Sequence, residues 1–413
     1  MNTETVRELG KRFADDIVSW RRHFHRHPEV GCEEVETSDY LCKVLDEMGI
    51  EYRRVQGMRP EGARGESDTF IGTGIIATIR GTAPGAYDED GNPAKRVALR
   101  TDIDALPITE KTDFDFISEN DGCMHACGHD CHMAMMLGAV RILNEMREAL
   151  KGEVRIIFQP AEEISLGARD MIAAGAIEGV DAIYGAHIWS EVDAGTFSAQ
   201  AGRRMASTDW FKVQVKGVSA HGSMPHKGVD AIVVAAEMVT SLQVLVSRDV
   251  SPFEPVVVTV GEICGGKARN IIADSAYISG TVRTWTDKTR AEVPDRLERI
   301  CGKVAHAFGA QIEFEYEAGN PGLSNDAACT QVARDAVDKL FGQEALAEYE
   351  GTLAGEDFSE YLRFIPGVFV FVGTRNPEVD AVYPQHSCHY TIDESVLARG
   401  SQVAVQWTLD MLS

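Results

Sequence analysis

Positive charge is scarce in this 413-residue chain, with 40 Lys and Arg against 64 Asp and Glu and a formal charge of -24. Such a surface repels phosphate backbones and anionic headgroups, which excludes nucleic acid and a charged membrane face as partners and favours a small molecule. No apolar run of membrane-spanning length stands out, and the charged, amphipathic start does not resemble a secretory signal, so a cytoplasmic location is expected. Repeats and low-complexity tracts are also missing. The nine cysteines are an odd number without a secretory context, which argues against a disulfide framework and for free thiols, metal ligands or both. Cys32, Cys42, Cys264, Cys301, Cys329 and Cys388 sit mostly among apolar residues and read as small buried hydrophobes.

What is present suits two domains, because a chain this long with 44% hydrophobic residues exceeds what one core usually serves. Val6, Leu9, Phe13, Ile17, Trp20 and Phe24 recur at steps of three and four, the pattern of an amphipathic helix that Pro28 stops. A second helix is expected over 37–48, capped by Gly49. Short apolar strands at 75–79, 97–99, 154–158 and 182–187 alternate with helical stretches, which predicts a largely parallel sheet flanked by helices.

From about Thr208 the rhythm changes. A strand with Phe211, Val213 and Val215 precedes a helix over 230–246, strands over 256–263 and 277–284, a helix from near Pro294 to Gly309, and a strand with Ile312, Phe314 and Tyr316. That order is the split β-α-β-β-α-β unit. The earlier style then resumes with a helix over 326–341, a strand over 368–372 and a final helix from about Glu394. An α/β fold is expected in which residues 1–203 and 319–413 form one domain and 204–318 are inserted within it.

The densest chemical signal is Met124-His125-Ala126-Cys127-Gly128-His129-Asp130-Cys131-His132, which crowds thiols, imidazoles and a carboxylate beside a helical run. Cys127 and His129, two residues apart at a loop-to-helix corner, read as metal ligands. His125 and His132 read as hydrogen-bonded histidines, and Cys123 and Cys131 as packing residues. A second signal is Phe158-Gln159-Pro160-Ala161-Glu162-Glu163, an apolar strand ending in two adjacent acids. Open α/β sheets place ligands at the carboxyl ends of their strands. One of the two acids can bind a cation while its neighbour reaches a water held there. His187 at another strand end and His386 near the C-terminus complete a mixed set of Cys127, His129, Glu163, His187 and His386, in which a thiolate could bridge two ions.

These residues resemble the aminoacylase and glutamate-carboxypeptidase superfamily of two-metal peptidases, in its amidohydrolase branch of hippurate, N-acyl-amino-acid, indole-acetyl-amino-acid and aminobenzoyl-glutamate hydrolases. The resemblance runs from Trp20-Arg21-Arg22-His23-Phe24-His25-Arg26-His27-Pro28-Glu29 through Leu99-Arg100-Thr101-Asp102-Ile103-Asp104, the cysteine motif, Gln159 to Glu163, Ala220-His221-Gly222-Ser223, Gly280-Thr281-Val282-Arg283 and Gly355-Glu356-Asp357-Phe358 to His386. It implies a catalytic domain with an inserted ferredoxin-like lid that pairs two chains into a homodimer. It implies Cys127, His129, Glu163, His187 and His386 as ligands of two divalent cations, zinc or manganese with nickel or cobalt as alternatives, and Glu162 as the base. It also makes Asp104 a carboxylate that orients a ligand, His221 a lid histidine that steadies an oxyanion, and Asn270 and Arg283 grips for a substrate carboxylate. Asn270-Ile271-Ile272-Ala273 and His386-Ser387-Cys388 depart from the family's usual Asn-Val-Ile-Pro and His-x-Pro.

The expected reaction is hydrolysis of an N-acyl amino acid or similar small amide by metal-activated water. Two other readings compete with it. One is a dipeptidase or carboxypeptidase on the same scaffold, and the other is an interaction module built on a structural zinc held by Cys123, Cys127, Cys131 and a histidine.

Overall fold

The computed structural model describes residues 2–55 and 72–413. In chain order the main elements are α1 (Asn2–Arg12), α2 (Ala14–Arg26), α3 (Val35–Glu47), β1 (Glu51–Arg54), β2 (Ile75–Arg80), β3 (Arg96–Asp102), α4 (His129–Glu145), β4 (Glu153–Gln159), α5 (Gly167–Ala173), β5 (Ala182–Asp193) and β6 (Phe197–Ser198). They continue with β7 (Asp209–Lys216), α6 (Ala231–Val244), β8 (Val256–Gly265), β9 (Ser275–Thr284), α7 (Asp287–Phe308), β10 (Gln311–Ala318), α8 (Ala327–Phe341), β11 (Gly367–Arg375) and α9 (Leu397–Met411). Two compact units result. Met1–Gly202, Ser324–Glu350 and Glu360–Ser413 form the first, and Arg203–Leu323 with Gly351–Ser359 the second.

The first unit is built on a seven-stranded sheet in the order β1-β2-β4-β3-β5-β11-β6. Its four central strands are parallel, while β1 with β2, β2 with β4, and β11 with β6 pair antiparallel. The sheet is therefore mixed where the sequence pattern suggested a largely parallel one. Only the central strands are apolar on both faces, as Val368, Phe369, Val370, Phe371 and Val372 of β11 illustrate, and such strands belong under helices on both sides. α4 is buried continuously from His129 to Val140, so it is covered nearly all round rather than along one stripe, with His129, Asp130 and His132 as polar residues at its start. The amphipathic stretch at the N-terminus forms two helices joined at Phe13 instead of one. Gly49 does cap α3, in the left-handed region at φ 65°, with Ile50 N–H returning to the Leu45 carbonyl at 3.0 Å.

The second unit has a four-stranded antiparallel sheet in the order β8-β9-β7-β10. β7 alternates inward and outward residues, and its Phe211, Val213 and Val215 meet Val234, Met238 and Leu242 of α6 and Val293, Leu297 and Cys301 of α7. α7 begins at Asp287, seven residues before the proline read as its start. Thr286 supplies the cap by accepting Thr289 N–H at 3.2 Å, and Pro294 sits inside the helix, where it removes a single donor. Ala231–Asp249 is long and apolar enough to cross a membrane by length and composition, a test that a core helix also passes, and its Ala231, Val234, Ala235, Met238 and Leu242 are packed in this unit's core.

All nine cysteines are free. Cys42, Cys301 and Cys329 are buried as expected, whereas Cys264 is exposed.

Candidate active site

Within the first unit, strand ends and one helix start converge. β3 and β4 run in parallel register, with Asp102 opposite Gln159, so Asp104 and the Pro160–Glu163 turn leave the sheet side by side. β5 pairs with β3 only as far as Gly185 opposite Arg100. His187 therefore stands just beyond that ladder, opposite Phe371 of β11. The strand itself continues to Asp193 rather than ending at His187 as the sequence suggested. Cys127 and His129 flank Gly128, the left-handed residue at φ 92° that starts α4. A side chain at Gly128 would meet Ile188 Cδ1 at 2.3 Å, so only glycine brings this corner so close to β5. His386, at φ 65°, docks its backbone N–H on the Ala126 carbonyl at 2.8 Å.

This geometry brings all five expected ligands and Glu162 together. Ligand-type atoms of Cys127, His129 and His187 lie within 4.8 Å of one another, as do those of Cys127, Glu163 and His386, and those of His129, Glu162 and Glu163. Cys127 Sγ is 3.4 Å from His187 Nε2, His129 Nε2 is 3.8 Å from Glu163 Oε1, and His386 Nε2 is 3.6 Å from Glu163 Oε2. Two donors bound at roughly 2.0–2.3 Å to one tetrahedral ion sit about 3.3–3.8 Å apart, so these spacings suit shared cations.

The ring orientations agree with that use. His187 Nδ1 donates to the Ile188 carbonyl at 2.6 Å, which leaves Nε2 facing Cys127. His129 Nδ1 faces Asp104 Oδ1 at 3.2 Å, and Asp104 Oδ2 accepts Glu163 N–H at 3.0 Å. His129 Nε2 and Glu163 Oε1 are buried without a hydrogen-bond partner, a costly arrangement unless a cation takes both. His132 cannot serve in the same way. Ile188 N–H donates to its Nε2 at 2.9 Å and its Nδ1 faces Asp102 Oδ1 at 2.6 Å, so both nitrogens are spent on structure. His125, read as a hydrogen-bonded core histidine, is buried with neither ring nitrogen partnered, and burial pushes its pKa down to about 3.

Charge is concentrated here. Burial, with Glu163, Glu162 and Asp102 close by, pushes the Cys127 thiol well above its ordinary value. Burial, opposed by His129, pushes Glu163 up to about 7. Burial alone would lower His129, but Asp102, Asp104 and Glu163 raise it to about 10. A pocket that resists carrying its own negative charge while holding a thiol, imidazoles and carboxylates is one that a borderline-soft divalent cation would relieve.

The sequence pattern of peptidase family M20/M25/M40 matches residues 98–410. The chain belongs to that family. It is 39% identical over 385 residues to the N-acetyl-L-cysteine deacetylase of Bacillus subtilis (strain 168), covering 93% of this chain and 85% of that one. It is 35% identical over 402 residues to thermostable carboxypeptidase 1 of Saccharolobus solfataricus, covering 96% of each. The crystal structure of a dinuclear metal-binding M20 peptidase from Bacillus subtilis matches with a TM-score of 0.81 at 35% identity, covering 97% of this chain and 99% of that one.

As a member of the M20/M25/M40 family the protein is a metal-dependent amide hydrolase with a mixed α/β fold, as the resemblance implied. The structural-zinc reading falls with that. Among the described residues, none of the groupings of three or more possible ligands includes Cys123 or Cys131. His221, Asn270 and Arg283 belong to the second unit, where His221 pairs with Ile271 in a short two-stranded ladder next to Asn270. Sequence reasoning missed two structural supports of this M20 site. Arg21 and His25 both bind Asp130, the neighbour of His129, and Glu34 binds the turn that carries Glu162.

Proposed function

We propose that the protein hydrolyses the amide bond of N-acyl amino acids, with Cys127, His129, Glu163, His187 and His386 holding two divalent cations and Glu162 acting as general base. The observation that carries this reading is the convergence of these six side chains at one site, with Cys127, His129, Glu162 and His187 buried, His386 at its exposed rim, and the buried His129 Nε2 and Glu163 Oε1 3.8 Å apart without a hydrogen-bond partner. When bound, the cations would acidify a water and polarise the substrate carbonyl. Glu162 would take the proton from the attacking water and return it to the departing amine, as reversible acid and base roles require. Asp104 would fix His129 through Nδ1 and Glu163 through its backbone. Zinc or manganese is the expected metal, with nickel or cobalt also compatible with a thiolate-containing set.

The second unit is read as a ferredoxin-like lid, a reading supported by its β-α-β-β-α-β order and antiparallel sheet. In it His221 Nδ1 accepts the Ser223 backbone N–H at 3.2 Å, so the proton belongs on Nε2. A donor of that kind suits a developing oxyanion. Asn270 and Arg283 would grip the carboxylate of the amino-acid product. Ile232, Val233, Val244 and Val246 are exposed on and just after α6, which supports pairing of two chains into a homodimer through this unit.

Carboxypeptidase activity is the second reading, favoured by the 35% identity to the Saccharolobus solfataricus enzyme. A panel of N-acetyl, N-benzoyl and N-indoleacetyl amino acids set beside dipeptides and longer peptides, with metal-loaded enzyme, decides between them. N-acyl amino acids are expected to turn over fastest, and exclusive peptide cleavage would overturn the choice. Glu162→Gln should keep its metal and lose several orders of magnitude in kcat, and a variant with wild-type turnover would sink the assignment of the base.

A further inference from the structure

Glu34 lies where the chain enters α3, among Glu33, Val35 and Glu36, a stretch that reads as the solvated start of a helix. It is nevertheless fully buried, and its carboxyl group is spent away from the helix. Oε1 accepts the backbone N–H of Ala161 at 2.9 Å, and Oε2 accepts the Thr73 hydroxyl at 2.8 Å. Ala161 directly precedes Glu162 and stands at φ 55°, a left-handed conformation that a residue with a side chain adopts only under constraint. On the other side of Glu162, Asp104 Oδ2 accepts the N–H of Glu163 at 3.0 Å. Gly31 completes the seat, because a side chain there would meet both Ala161 Cα and Asp104 Oδ2 at 3.2 Å. The backbone donors on either side of Glu162 are thus each held by a buried carboxyl group, and only Asp104 also orients a candidate ligand.

We propose that Glu34 is a positioning residue for proton transfer, holding Ala161 in its left-handed conformation and so setting where the Glu162 carboxylate points. This rests on the reading of Glu162 as base. Reach matters here more than charge. Burial, with Asp104 nearby, pushes Glu34 up to about 8, so glutamine reproduces both its length and its usual neutral form. Aspartate keeps the acid but withdraws it by one methylene, which leaves the Ala161 N–H buried and unmatched.

The test compares Glu34→Gln and Glu34→Asp, each alone and combined with Glu162→Gln, in the metal-loaded enzyme. Glu34→Gln should keep kcat within about threefold, whereas Glu34→Asp should lower it roughly tenfold to a hundredfold, the range expected when a catalytic group is misplaced by about 1 Å. KM and the metal content per chain should stay within about twofold of wild type, and the loss should vanish in the Glu162→Gln background, where there is no base left to aim. The proposal is overturned if Glu34→Asp retains wild-type kcat, if it loses metal or raises KM in step with kcat, or if its loss persists undiminished without Glu162. Should Glu34→Asp fail to fold, Thr73→Val removes the hydroxyl that orients the same carboxyl group. A kcat loss confined to enzyme with Glu162 supports the proposal, and wild-type kcat refutes it. Wild-type turnover by Glu162→Gln alone would instead sink the assignment of the base, so the two failures are separable.

Discussion

Asp104→Asn tests the candidate centre at the point where one buried carboxylate orients two ligands. Oδ1 faces His129 Nδ1 at 3.2 Å and Oδ2 accepts Glu163 N–H at 3.0 Å, and both of those partners are donors. Asparagine has the same size but replaces one oxygen by an amino group, so whichever way it turns, one donor faces another. The substitution therefore removes one hydrogen bond to a charged group, worth about 1.5–3 kcal/mol. At about 1.4 kcal/mol per factor of ten, that is a loss of roughly 10- to 150-fold in metal affinity. The range measured for residues that orient metal ligands, about 10- to 100-fold, overlaps it. The assay is competition against a chelator of known affinity, with circular dichroism to confirm an intact fold and kcat measured again at saturating metal. Affinity within about threefold of wild type would refute the reasoning, because it would mean that His129 and Glu163 do not hold the cation through the atoms that Asp104 aims.

Three further changes probe the surroundings. His25 is buried between Asp130 at 2.8 Å and Glu110 at 3.1 Å; burial and Arg21 lower its pKa, but these carboxylates win and raise it above its ordinary value. A raised folded value means that this stabilisation is complete below the unfolded pKa, about 6.5, and is lost as pH rises through the folded one. Melting temperatures of chelator-treated wild type should thus fall more steeply above about pH 6.5 than those of His25→Gln, and equal slopes would contradict the assignment. Gly128→Ala forces a side chain at φ 92° against Ile188 Cδ1 at 2.3 Å and should cost about 2–4 kcal/mol, read as a lower urea midpoint at unchanged slope. Cys127→Ser removes the donor common to two of the ligand groupings and should weaken both cations together; a variant that loses one and keeps the other at wild-type affinity would rule out the thiolate as a bridge.

Much of this site was legible in the sequence because its chemistry is local. Cys127, Gly128 and His129 are consecutive, and the strand Glu153–Gln159 announces itself by an apolar run that ends in Pro160 and two acids. His187 and His386 were weaker, since a lone histidine has no spacing to betray it, and they were added as members of a set and by resemblance to a family. The secondary structure was readable wherever one period dominated, as in the alternating burial of Phe211, Val213 and Val215. It failed where a single residue was taken as punctuation. Pro294 does not begin α7, because Thr286 already caps it, and β5 does not stop at His187, because β11 goes on pairing with it up to Arg375 opposite Asp193.

The parts that stayed hidden share a physical cause, which is that the backbone carries the information and the side chains do not. Ala161 and His386 occupy left-handed conformations that sequence rules reserve for glycine, asparagine or aspartate, so nothing in their identity marks them as corners. Each is held by a hydrogen bond on its own N–H, from Ala161 to Glu34 and from His386 to the Ala126 carbonyl. The acceptor on Glu34 comes from 127 residues away in the chain, beyond the reach of any local pattern. A conformation imposed from outside costs free energy that glycine would not incur, and evolution could have lowered that cost with glycine at either position. Alanine at 161 instead ties the direction of Glu162 to a constraint supplied by the seat around it. Ala161→Gly should therefore leave the resting geometry unchanged while making kcat less sensitive to Glu34→Asp. If glycine at 161 left that sensitivity at its full wild-type value, the strained turn would have no part in aiming the base.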